Sequence, residues 1–134
     1  VKTATGTVVQ AKGDNVGVPD WTVSLNGQYD IRVMGLPGYI RADYNYTGTY
    51  MRGPGPGTSA YNPYTVKGEA FSVVNARIGL TVAKVDWSIF AQNLTNERPF
   101  LGYAGGTNAT TDSLRITGNT ITPRTMGIQA NYRF

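Results

Sequence analysis

Neither cysteine nor histidine occurs among the 134 residues. Their absence excludes disulfide scaffolds, thiol nucleophiles, zinc sites built on thiolate or imidazole, and any mechanism with a histidine general base. Charge is scarce too: Asp, Glu, Lys and Arg make up 15% of the chain, against roughly 25% in an average soluble domain. The net charge is +4, but the 12 basic residues are scattered singly, so no basic patch for nucleic acid is expected. No run of 18 apolar residues exists, which excludes a membrane-spanning helix. Few Leu and Glu beside 17 Gly and 9 Tyr argue against a helical protein. At 40% hydrophobic the chain is not of a disordered type. What remains is one β-rich domain.

What the chain has in abundance is alternation. From Asp20 to Val33, the residues Trp21, Val23, Leu25, Gly27, Tyr29, Ile31 and Val33 share one face, and Thr22, Ser24, Asn26, Gln28, Asp30 and Arg32 share the other. Such a pattern predicts a strand. Fourteen residues would span roughly 46 Å, close to a bilayer core once tilted by about 45°. A turn at Gly35–Gly38 leads to a second strand, Tyr39 to Met51. Arg52 to Gly68, rich in Gly, Pro and Tyr, reads as a long loop. Phe71 to Val82 is a third strand, followed by a short turn at Lys84–Asp86 and a fourth strand from Trp87 to Gln92. A polar loop covers Thr95 to about Asn119, and a last strand carries Met126, Ile128, Ala130, Tyr132 and Phe134 on one face. Thr3 to Gln10 is a weaker candidate, which brings the total to about six strands. Long and short connections alternate, as in an antiparallel up-and-down meander with its long loops at one end, the layout of an outer-membrane β-barrel.

The charges suggest which face is wet. With the turn at Gly35–Gly38, Arg32 faces Arg41 and Asp30 faces Asp43, and Asp30–Arg41 and Arg32–Asp43 become diagonal neighbours. Arg77 and Arg133 lie on the same polar face. A ladder of this kind in a sandwich core would cost several kcal/mol unless fully paired. Lining a water-filled barrel it costs little, so the expectation is a polar face toward the lumen and an apolar face toward lipid. Trp21, Tyr50 and Trp87 then suit the interfacial aromatic girdle.

Three blocks carry a family resemblance. They are Phe71-Ser72-Val73-Val74-Asn75-Ala76-Arg77-Ile78-Gly79-Leu80, then Trp87 through Gln92 into Asn93-Leu94-Thr95-Asn96-Glu97, then Pro123-Arg124-Thr125-Met126-Gly127-Ile128 running to Phe134. In this order and spacing they resemble the C-terminal end of TonB-dependent outer-membrane receptors. The resemblance covers most of the chain from about Pro19 onward. It implies a bacterial outer-membrane location and a share in a barrel of about 22 strands, the whole importing a siderophore, a vitamin or an oligosaccharide. The partners it implies are outer-membrane lipid, the rest of the receptor with its plug and upstream strands, the TonB complex through an N-terminal segment, and the barrel-assembly machinery. The alternation of Met126, Ile128, Ala130, Tyr132 and Phe134 resembles the signal that machinery reads. Val1-Lys2-Thr3 is neither a signal peptide nor a translational start, so the chain is expected to begin inside something larger. A single-chain barrel needs at least eight strands, more than the six expected here.

In that family the last strand ends at the periplasmic face, which makes the two short turns periplasmic and the two long loops extracellular. Tyr61, Tyr64, Phe100 and Tyr103 sit on those loops, where rings among Asn and Gly suit stacking on a sugar or siderophore, or simply pack the loops together. Catalysis has little support. The eight acidic residues show no motif spacing, and Asp30 with Asp43 reads as part of an ion-pair ladder rather than as an acid/base dyad. No cofactor, metal ligand set or phosphate loop is expected. Gly53-Pro54-Gly55-Pro56-Gly57 is a loop without further repeat, and the Asn-x-Thr triplets at Asn45, Asn93 and Asn108 are expected by chance in so Asn- and Thr-rich a chain. Two other classes compete with a receptor wall: a soluble β-sandwich that binds carbohydrate, and a small oligomeric porin-like barrel. Strand length separates the first, since a sandwich has no need of such long strands.

Overall fold

A computed structural model describes Lys2, Gly6 and residues 17–51, 57–58, 61, 67–108 and 113–134, with the backbone alone at 103–108 and 113–117. Its strands are β1 (Thr22–Val33), β2 (Leu36–Thr47), β3 (Tyr50–Met51), β4 (Lys67–Gly68), β5 (Phe71–Val82), β6 (Val85–Gln92), β7 (Gly102–Asn108), β8 (Ser113–Asn119) and β9 (Thr125–Tyr132). No helix interrupts them among the described residues. The chain falls into two compact units, one of residues 23–46, 72–97 and 122–134, the other of 1–22, 47–71 and 98–121.

The first unit is a five-stranded antiparallel sheet in the order β1-β2-β5-β6-β9. Spatial order follows chain order, so the topology is the expected up-and-down meander. The sheet is not closed into a barrel, and β1 and β9 are its edges. It has five strands rather than about six; the sixth candidate, Thr3 to Gln10, lies outside the described residues apart from Gly6. The three longest strands have 12 residues each, roughly 40 Å of chain.

Both short turns begin one residue earlier than the sequence predicts and are tighter. The first is Met34–Gly35, with φ of 53° and 83°, and the second is Ala83–Lys84, with φ of 46° and 66°. Positive φ at both central residues defines the type I′ turn, whose twist matches that of the strands it joins. Gly38 is therefore a strand residue, and it has a reason to be glycine: a Cβ there would lie 2.7 Å from the Gly79 carbonyl oxygen. The long polar segment after Thr95 also differs from expectation. Part of it folds as the β7–β8 hairpin, with Gly102 opposite Asn119 and Asn108 opposite Ser113.

The register sorts the side chains into two faces. Ile78, Ile89 and Ile128 form one cross-strand row, and Leu80, Trp87 and Ala130 the next. On the reverse face the rows are Arg77–Phe90–Gly127, Gly79–Ser88–Gln129 and Thr81–Asp86–Asn131. Their burial is inverted relative to a water-soluble sheet. Ser88 on the polar face is 4% exposed, whereas Ile89 and Ile128 on the apolar face are 64% and 71% exposed. Among the described residues no large side chain is fully buried, so this sheet has no hydrophobic core of its own.

Aromatic rings and glycines lock the polar face. The Tyr39 ring lies over Gly79 of the neighbouring strand, and the Phe90 ring covers Gly127, in the manner of aromatic rescue of strand glycines. Gly79→Ala should displace Tyr39 and lower the urea midpoint by the equivalent of about 1–3 kcal/mol. Gly27→Ala, where a Cβ meets nothing within 4 Å, should leave the midpoint nearly unchanged.

The second unit contains two ribbons. In β3–β4, Tyr50 lies opposite Gly68 and covers it with its ring, and the Tyr50 hydroxyl donates to the Leu101 carbonyl at 3.3 Å. Beside β8, the Phe100 ring covers Gly118.

Candidate functional site

A cleft of about 400 Å³ opens on the polar face of the sheet, between Gln28, Tyr39, Arg41, Asp43, Asn75, Arg77, Phe90 and Gln92. Strand alternation brings these residues together from four strands, because each faces the same side at the same level of the sheet. Arg41 is neutralised along its own strand by Asp43, with Nη2 to Oδ1 at 3.0 Å. Arg77 is held differently. Its Nη1 donates to Ser88 Oγ at 3.4 Å and Gln129 Oε1 at 3.0 Å, and its guanidinium carbon sits 5.4 Å from the centre of the Phe90 ring.

The ladder of Asp30, Arg32, Arg41 and Asp43 does not pair across strands as the turn at Gly35–Gly38 would require. Counting out from Met34–Gly35 places Arg41 opposite Gln28 and Arg32 opposite Pro37; the backbone bond from Gly48 N to Trp21 O, 2.8 Å, follows the same count. Arg41 and Asp43 do meet, but as neighbours two apart on β2, while Asp30 accepts from Gln28 Nε2 at 2.9 Å. A second ion pair, Arg133 Nη2 to Asp86 Oδ2 at 2.5 Å, lies near the Ala83–Lys84 turn, and Asp86 also accepts from the Thr81 hydroxyl. The Arg133 amide donates to the Lys84 carbonyl at 3.0 Å, so the end of the chain is fastened there.

The Asn-Leu-Thr-Asn-Glu segment turns out to be a clasp. Asn93, 4% exposed, donates through Nδ2 to the carbonyls of Glu97 and Thr122 at 2.9 and 3.0 Å, and its Oδ1 accepts from the Glu97 amide at 3.0 Å. Its own amide donates to Asn75 Oδ1 at 3.0 Å. Asn96 Oδ1 accepts from the Arg124 amide at 3.1 Å. Both Asn93 and Asn96 have positive φ, 48° and 56°, which asparagine tolerates better than most residues. All three blocks of the resemblance thus converge on one knot of hydrogen bonds. The sequence alone shows them only as a family pattern, because their partners lie up to 30 residues away.

The loop aromatics are placed unevenly. Tyr61 is partly exposed, and Phe100 is half exposed over Gly118. Tyr103 lies in β7, where only the backbone is described, and Tyr64 lies outside the described residues. Of the terminal series, Met126, Ile128, Ala130 and Tyr132 line the exposed apolar face of edge strand β9, and Phe134 stands edge-on to Tyr132 with ring centres 5.2 Å apart. Trp87 projects from that face three residues after the turn, and Trp21 is exposed just before β1.

No protein-family model, curated protein or solved structure matches the chain.

Proposed function

We propose that this chain is a wall segment of an outer-membrane transport barrel, of the kind formed by the C-terminal strands of TonB-dependent receptors. The observation that carries the reading is the inverted burial. Ile78, Trp87, Ile89, Met126 and Ile128 each leave more than half their surface open. In water each would forgo roughly 1 kcal/mol of burial, about 5 kcal/mol together, which is comparable to the whole stability of a small domain. Against lipid that cost vanishes. The polar face, meanwhile, carries hydrogen-bonded Arg, Asp, Ser and Gln beside an open cleft, as a barrel lumen does. A soluble sandwich would need a second layer over the apolar face, and the unit that holds this sheet has none among its described residues. The order of the three sequence blocks favours the receptor over other barrels. Uptake of a siderophore, vitamin or oligosaccharide follows from that resemblance.

In the receptor arrangement the short turns, Met34–Gly35 and Ala83–Lys84, are periplasmic and the two long connections are extracellular. The partners are outer-membrane lipid, the remaining strands and plug, the TonB complex and the barrel-assembly machinery. Fractionation of the native host, with blotting against the Phe134 end, tests the reading. The expected band is in the outer membrane and runs anomalously without heating. A band confined to the soluble fraction would overturn it.

A further inference from the structure

We infer that the cleft over Arg77 is a binding site for a carboxylate on a small, hydroxylated molecule, of the size and chemistry of a sugar acid. The inference goes beyond the transport reading and shares with it only the assignment of the polar face as the ligand side. Three features of the cleft lead to it.

The first is unspent charge. Arg41 and Asp43 cancel, and the other ion pair of the described residues, Arg133 with Asp86, does not line the cleft. Arg77 has no carboxylate within ion-pair distance among the described residues, so the described lining of the cleft carries one net positive charge.

The second is the way the guanidinium is held. Both Arg77 hydrogen bonds leave from Nη1 and go to neutral oxygens of Ser88 and Gln129. The opposite edge, Nε–H with Nη2–H, has no partner among the described residues. Those two parallel donors are the fork that a carboxylate accepts in bidentate fashion. The Arg77 guanidinium carbon lies over the Phe90 ring, which in turn packs on Gly127, so less side-chain entropy remains to be lost on binding.

The third is the remainder of the wall. Tyr39, Gln92 and the amide groups of Gln28 and Asn75 not engaged by Asp30 and Asn93 offer neutral donors and acceptors, and these suit hydroxyl groups better than further charge. The volume lies in the range of small-ligand sites.

The test uses the full chain refolded in detergent micelles, with gluconate as the carboxylate probe and glucose as its uncharged counterpart. Titration calorimetry should give saturable binding of gluconate and none of glucose, and NMR should place the shift at the Arg77 Nε–H signal. Arg77→Gln should weaken gluconate at least roughly tenfold. Arg77→Lys, which keeps the charge without the fork, should recover only part of the loss. Asp43→Asn leaves Arg77 untouched and frees Arg41, and it should tighten gluconate several-fold. Equal binding of the two sugars, or an unchanged affinity in both Arg77→Gln and Asp43→Asn, would overturn the site. A chain that folds in micelles and ignores gluconate would remove this inference alone. One that folds and binds gluconate in plain buffer would keep the site and remove the membrane reading.

Discussion

Asn93→Ala is expected to lower stability by about 2–4 kcal/mol, the range for stripping hydrogen bonds from a buried polar cluster. Removing the side chain leaves the Glu97 and Thr122 carbonyls and the Glu97 amide without their partner at a position that water barely reaches. Part of the cost is conformational, because alanine at a φ of 48° pays about 1 kcal/mol for the left-handed backbone. Asn93→Gly separates the two contributions: it keeps the backbone at ease and loses the same bonds, so it should be milder than alanine by about that amount. Asn93→Asp should be no better than alanine, since it replaces two donors with a charge facing two carbonyl oxygens. Urea titrations of the four proteins decide the matter. A loss under 1 kcal/mol for Asn93→Ala would mean that the clasp is ornamental to the fold.

The second large effect belongs to the apolar face. Ile89→Arg should cost about 2–4 kcal/mol if the residue lies near mid-bilayer, and refolded yield in lipid vesicles should fall accordingly. The control sits on the polar face: Asn26→Arg, on exposed edge strand β1, should be mild. Asn75→Arg would be the wrong control in spite of its polar-face position, because Asn75 Oδ1 accepts the Asn93 amide. Equal losses at both positions would mean that lipid does not meet the isoleucine row. A gain in solubility for Ile89→Arg, with no loss of stability, would place that face in water and favour the soluble alternative.

Much of this fold is legible in the sequence, for identifiable reasons. The alternations from Trp21 to Val33 and from Val74 to Val82 survive as faces of β1 and β5 because a period of two depends on nothing but the strand itself. Turn positions are less legible. Gly35 and Gly38 look alike as letters, yet Gly35 supplies a positive φ while Gly38 makes room for a neighbouring strand. Ala83–Lys84 carries none of the Asn or Gly expected of a type I′ turn, and the strands on either side impose it. The β7–β8 hairpin is hidden in the sequence because Gly102, Gly105 and Gly106 blur the alternation. The Arg77 cleft was half visible: alternation placed Arg77 on the polar face, but Phe90 and Gln129 became its neighbours only through register. The Asn93 clasp was invisible as physics, since no local rule connects residue 93 to residue 122.

The two tight turns also set a timetable. Hairpins β1–β2 and β5–β6 close over two residues each, and such units form within roughly 1–10 μs. Pairing β2 with β5 must first bring together the ends of residues 48–70, and pairing β6 with β9 the ends of residues 93–124. Those later steps carry the larger closure entropy. The Asn93 bonds span the second of these gaps, so they form late and hold an already folded hairpin to the final strand. Weakening the clasp should therefore speed unfolding far more than it slows folding, and the last strand should be the first to peel away.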